Sequence, residues 1–339
     1  MSKLPVHVIK PFTRKLFDTL FVCLNSDNWP IRDSACVPIG RLLQYVVDIK
    51  GVDDFMEGTE DSSSIMIKPI EIDEVLNLLT LHLQDSIYSI REHAAEAMAC
   101  LLQSSCAYIA QTAYQRTYDH LNRHLLRAFE QADKEKSKIQ FIPPSIFEKM
   151  SIGTSSTTSS SSSVASAGNK SFKQTASKWG CGLDCAVGLD CNAERVSGVC
   201  DWEASEGCIY LIKELLQIHP QDFHKVSEDF CKLSDISNFK DYHRLRTTFY
   251  AQLPEMFLAI GKADTKKCLS EELIRRIVSD VTKAGSVNDR ESASSLMVEE
   301  AISCFQKICD QVGHSVVYSR IFDDRTKDLV KSRVSRTLT

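Results

Sequence analysis

"DNWPIRDSACVPIGRLLQYV" at residues 27–46 returns, altered but legible, as "DSIYSIREHAAEAMACLLQSS" at residues 85–105. Each stretch runs an Asp, a short gap, an Ile-Arg pair, small residues and a paired Leu. In the first, Ile31, Ala35, Ile39, Leu42, Leu43, Val46 and Val47 fall at steps of three and four, which predicts one apolar face of a helix. In the second, Ile90, Ala94, Ala97, Met98, Leu101 and Leu102 do the same. Each is preceded by another amphipathic stretch. Phe12, Leu16, Phe17, Leu20, Phe21 and Leu24 come before the first; Ile72, Val75, Leu76, Leu79 and Leu83 come before the second. The unit is therefore a pair of helices joined at a polar turn, used twice. Arg32 and Arg91 hold equivalent places, and the polar stretch at residues 51–64 reads as a loop inserted between the copies.

A lone helix pair cannot cover its own apolar face, so such units must stack on their neighbours. The pattern resembles that of HEAT or armadillo-like repeats. The residues that carry the likeness are Asp27, Ile31, Arg32, Ala35, Leu42 and Leu43 in one unit, and Asp85, Ile90, Arg91, Ala94, Leu101 and Leu102 in the other. The resemblance implies an all-α solenoid of antiparallel helix pairs, whose usual work is to present a curved surface to other proteins. A third unit, residues 201–220, keeps Asp201, Trp202, Ala204 and the face Leu211, Leu215, Leu216, but lacks the Arg.

Between the second and third units the pattern fails. Residues 106–132 predict a long helix striped with Tyr114, Tyr118, Leu121, Leu125 and Phe129. A charged stretch, a Pro pair and ten consecutive Ser or Thr at 154–163 follow. Such a composition cannot bury enough apolar surface to offset its ordering entropy. Residues 150–178 are expected to be a disordered insertion between repeats at 1–149 and at 179–339 of one solenoid, since loop length costs little. Further apolar stripes include Leu245, Phe249, Leu253, Phe257 and Ile260, with Pro254 as an expected kink, and Leu296, Val298, Ile302, Phe305 and Ile308.

The 339 residues are 43% apolar and 25% charged, the balance of a folded soluble protein. A net charge of −5 gives no global attraction to nucleic acid, so none is expected as a partner. No stretch is long and apolar enough to span a membrane. The start of the chain carries no apolar signal core, and several of the 13 Cys sit inside apolar helical patterns, which points to an intracellular protein of cytoplasm or nucleus. Motifs for phosphate cradling, dinucleotide binding, zinc proteolysis or a serine nucleophile are missing. A non-enzymatic scaffold without cofactor is the expectation.

Three groups are candidates for something more specific. Cys181, Cys185, Cys191 and Cys200 could hold zinc, although their gaps of three, five and eight residues contain no paired knuckle. His120 and His124 stand four apart, off the apolar stripe, and are expected on an exposed helix surface. Trp29 precedes the second helix of the first pair, as a Trp does in tubulin-binding TOG domains, a HEAT subclass. No series of basic residues in later turns is visible, and a packed Trp over the helix turn is the plainer reading. Arg32, Arg41 and Arg91 suit either a basic ridge facing a partner or hydrogen bonding between units, the second being favoured.

The irregular cysteine spacing generates the first prediction: purified protein carries no stoichiometric zinc, and chelation leaves its melting temperature unchanged. About one zinc per chain by elemental analysis, released by Cys185→Ser, would overturn it.

Overall fold

A computed structural model describes residues 9–49, 67–104, 106–128, 130, 201–227, 243–283, 292–321 and 323–336. The expected disordered insertion at 150–178 and the four candidate zinc cysteines lie outside them. Among the described residues the regular structure is entirely helical. All of them except Glu130 belong to one compact unit built from 1–129 and 196–339.

The first two stretches of the chain form α1 (Thr13–Leu24) and α2 (Trp29–Ile49). The next form α3 (Pro69–His82) and α4 (Tyr88–Leu102). Most of the apolar steps read from the sequence are buried: Phe17 and Leu24; Ala35, Ile39, Leu42 and Leu43; Ile72, Val75, Leu76 and Leu79; Ile90, Ala94, Ala97, Met98 and Leu101. Phe12, Leu16 and Ile31 are exposed instead, and Leu20 and Phe21 are half-buried. Pro69 opens α3, where its missing N–H costs nothing, and Glu71 reaches back to the Lys68 N–H at 2.7 Å. Asp85 caps the turn before α4 by accepting from the Ile87 N–H at 2.9 Å.

Next come α5 (Ala107–His124), α6 (Asp201–Ile218), α7 (His243–Cys268), α8 (Glu271–Lys283), α9 (Ser292–Val312), the short α10 (His314–Tyr318) and α11 (Asp324–Arg336). One row of helices runs α2, α4, α6, α7, α9, each packed against the next. On α2 and α4, Arg32 meets Asp85 near the helix starts and Gln44 meets Gln103 near the ends, so the two run in the same direction. The remaining helices back this row: α1 on α2, α3 and α5 on α4, α5 on α6, and α8 and α11 on α9.

The kink expected at Pro254 lies elsewhere. Residues 243–268 are helical through Pro254, and the break falls at Gly261, with φ 82° and ψ 162°. That conformation is open to Gly and strained for other residues. The break exposes carbonyls, and the Thr265 hydroxyl lies 2.9 Å from Phe257 O and 2.8 Å from Gly261 O to satisfy them. Pro38 likewise sits inside α2, on its exposed side, without ending the helix.

Two glycines set how closely the row can pack. A Cβ on Gly40 of α2 would stand 2.8 Å from the Cα and carbonyl oxygen of Ala97 on α4. A Cβ on Gly207 of α6 would overlap the carbonyl of Leu83, at the end of α3. These obstacles are backbone atoms, which cannot swing aside. Gly207→Ala therefore tests the packing through its sign. Helix propensity alone favours Ala by about 1 kcal/mol. We expect the opposite, a loss on the order of 1–3 kcal/mol by urea unfolding, as an overpacked site shifts backbone. A stabilised Gly207→Ala would show that α6 does not sit this close to α3.

Candidate functional site

The starts of α2 and α4 share a construction. Arg32 is the fourth residue of α2; its Nη1 donates to the Ser26 and Asp27 carbonyls at 2.8 and 3.0 Å, and its Nη2 to Asp85 Oδ2 at 2.9 Å. Arg91, the fourth residue of α4, follows the same scheme on the next helix of the row. Its Nη1 donates to the Asp85 carbonyl and its Nη2 to Glu206 of α6. Arg32 ties its own turn to the turn before α4, and Arg91 ties its own turn to α6. They differ in burial. The Arg32–Asp85 pair keeps side-chain exposures of 18% and 11%, whereas Arg91 and Glu206 stand at 0% and 1%.

The second Glu206 oxygen accepts from Thr248 of α7 at 2.5 Å. Trp202 lies against the Arg91 guanidinium, 5.3 Å from ring centre to Cζ. Helices α4, α6 and α7 thus meet at one buried charge pair. Farther along, Arg246 of α7 pairs with Asp280 of α8 at 2.8 Å, and the buried Tyr250 hydroxyl donates to the same carboxylate at 2.6 Å. Burial, together with the Asp280 charge, pushes the Tyr250 phenol well above its usual range.

Arg91 is therefore no part of a partner-facing ridge, because no surface of it reaches solvent. Arg32 is engaged with Asp85, and the exposed Arg41 pairs with Glu96 of α4 at 2.6 Å. Trp29, the first residue of α2, is 44% exposed. Tyr88, 59 residues later, is the first residue of α4 and is 53% exposed. Trp202, the second residue of α6, is half-buried. Arg244, the second residue of α7, is exposed, and its guanidinium stacks over both Tyr88 and Trp202, at 5.9 and 5.7 Å. Trp29, Tyr88, Trp202 and Arg244 thus all stand at the starts of row helices. The sequence reading missed Tyr88 and Arg244. The 59-residue spacing that pairs the two arginines would have paired Tyr88 with Trp29.

The two histidines are a correction. His120 and His124 are 2% and 5% exposed, not surface residues. The sequence shows only the apolar stripe of α5. It does not show that α6, some 80 residues on, covers a second side. There Ser205 donates to the His124 carbonyl at 2.8 Å, and Cys208 is wholly buried. Burial pushes the Cys208 thiol far above its usual range, which leaves it unreactive. Among the described residues no group of three or more His, Cys, Asp or Glu is placed to hold a metal, and no helix is long and apolar enough to cross a membrane.

The buried pair gives a quantitative expectation. Arg91→Ala or Glu206→Ala alone leaves an uncompensated buried charge and should cost about 3–5 kcal/mol. Replacing both by Met and Leu should restore much of that loss. Urea midpoints of the two single variants and the double variant make the check. Single variants within about 0.5 kcal/mol of the parent, the range of surface changes, would place the pair in solvent.

No protein-family model matches the chain, and no curated protein matches it. A solved crystal structure described as an engineered protein aligns over 94% of this chain and 97% of its own length, at 9% identity and a TM-score of 0.30.

Proposed function

We propose that this chain is a non-enzymatic scaffold, an α-solenoid of HEAT-like or armadillo-like antiparallel helix pairs that presents one edge to partner proteins. The supporting observation is the set of helix starts. Trp29, Tyr88 and Arg244 are exposed there, above a row of helices held in place by Arg32–Asp85 and Arg91–Glu206. Aromatic residues and Arg carry a disproportionate share of binding energy at protein interfaces, because they bury large area with few rotatable bonds. A stacked guanidinium is also held ready, so less freedom is lost on binding.

The tubulin reading keeps a specific observation in its favour. Trp29 is exposed at the first turn of the row, and Arg244 supplies a basic residue at a later one. The zinc-binding alternative, centred on Cys181–Cys200, gains no such support, since those residues lie outside the described ones.

Trp29→Ala, Tyr88→Ala and Arg244→Ala separate the edge from the fold. Each side chain is exposed, so each change should leave stability within about 0.5 kcal/mol. Each should weaken capture of partners from native lysate, by about thirtyfold for a residue worth 2 kcal/mol. Purified αβ-tubulin on a sizing column tests the second reading directly: co-elution lost in Trp29→Ala supports it. Partner capture unchanged in all three variants would move the binding surface away from this edge.

A further inference from the structure

The seam between α5 and α6 holds two imidazoles on consecutive turns, their ring centres 4.7 Å apart. Neither ring nitrogen of the buried His120 has a hydrogen-bond partner. His124 is different: Arg127 Nη1 lies 3.4 Å from its Nδ1. A buried imidazole with neither nitrogen satisfied gains nothing from being there. It would lose far more on becoming charged in place.

The surroundings of His120 offer no relief. The charges acting on it are those of His124 and Arg123, both on α5 and both adverse to a second positive charge. On α6 the facing group is Cys208, whose sulfur lies 4.0 Å from the His120 carbonyl. That helix also buries Glu203 and Glu206; Glu206 is taken by Arg91 and Thr248. Of the α4 charges, Arg91 turns to Glu206, His93 to Asp33 and Glu96 to Arg41, and Glu92 acts on Tyr210 of α6. On α3, Asp73 accepts from Tyr108, three turns away along α5. The 3-10 turn Pro220–Asp222 and the helical residues 223–227 bring Asp222 and Lys225. These bind each other at 2.9 Å and the Tyr114 hydroxyl at 2.9 and 2.6 Å.

We propose that the His120–His124 seam is an acid-sensitive latch: proton uptake by His120 drives α5 off α6 as the pH falls below neutrality. The sign follows from linkage. Burial, then the neighbouring His124 and Arg123, holds the His120 imidazole down to about 3 while the seam is closed. An opened seam returns it to the ordinary value near 6.5. The open state therefore binds a proton that the closed state refuses. The latch is fully effective above about pH 6.5 and weakens progressively from there towards pH 3.

Amide hydrogen exchange on the full chain, corrected for intrinsic rates, reads the opening. Between about pH 7.5 and about pH 5, opening of residues 107–124 and 203–218 should rise about thirtyfold, a decade per unit below 6.5. Residues 296–308 of α9 should not follow. His120→Phe fills the same space without a titratable group and should abolish the difference. If that variant fails to fold, the imidazole signals of the parent chain, followed by NMR, decide instead. A His120 that titrates near 6.5 while α5 amides stay protected would overturn the latch. So would equal protection of α5 at both pH values, or a folded His120→Phe that keeps the parental pH dependence.

Discussion

The buried pair between Arg91 and Glu206 joins residues 115 apart in sequence. It is not the main source of stability. Two charges removed from water cost several kcal/mol each, and their attraction returns that only when the remaining polar atoms are also bonded. Most are: Arg91 reaches Asp85 and Glu206, Glu206 receives Thr248, and Trp202 lies against the guanidinium. One atom, Arg91 Nε, has no partner. The stability comes instead from side chains such as Ile209, Leu211, Ile212, Leu215 and Leu216 of α6, each wholly buried and each contributing about 1.5–3 kcal/mol. Those contacts would accept several rotations of α6. The charge pair accepts one, because any other leaves a carboxylate or guanidinium buried alone. Gly207 then fixes how closely α6 approaches the end of α3.

The same device varies along the row. Arg32–Asp85 joins α2 to the turn before α4 with both partners partly wet, where a pair contributes little. Arg91–Glu206 and Arg246–Asp280 are buried, where loss of one partner is severe. Backbone carbonyls are fastened too: Gln311 of α9 donates to Pro254 O at 2.9 Å, and Arg333 of α11 to Val281 O at 2.8 Å. Each bond reaches from one helix of the unit to another, and each satisfies a group that burial would otherwise penalise.

What the sequence conveys depends on how local the cause is. Helices α1 to α4 follow from periodicity, because their core residues recur within a few turns and their turns carry Asp and Ser. The joining role of Arg32 and Arg91 follows from their equivalent places. The partner of Arg91 does not, since a Glu beside Asp201 and Trp202 reads as solvent-facing until α4 is known to cover it. His120 and His124 fail for the same reason. Their burial depends on α6, and nothing within a few residues of them announces a helix some 80 positions away. Gly261 breaks α7, although the sequence marks Pro254 as the expected point. A proline inside a helix needs only one missing bond and some room, whereas a φ of 82° is incompatible with continuing the helix.

The edge shows how one position along a helix acquires different roles. Trp29, Tyr88 and Trp202 all sit at helix starts, where the row behind them cannot cover a side chain that projects past the last turn. What lies beside each differs. Arg244 from α7 covers both Trp202 and Tyr88, and Trp202 has Arg91 beneath it as well, so it is half-buried and its indole serves the internal charge pair. Tyr88 has the cation alone and keeps half its surface exposed. Trp29, at the first row helix, has no described cation stacked on it. The number of cations stacked on the aromatic thus falls from α6 to α2, and both Tyr88 and Trp29 are left more exposed than Trp202. An apolar side chain that the fold does not need, held at a fixed place by a charge network that the fold does need, is where a scaffold can vary its partner without altering its core.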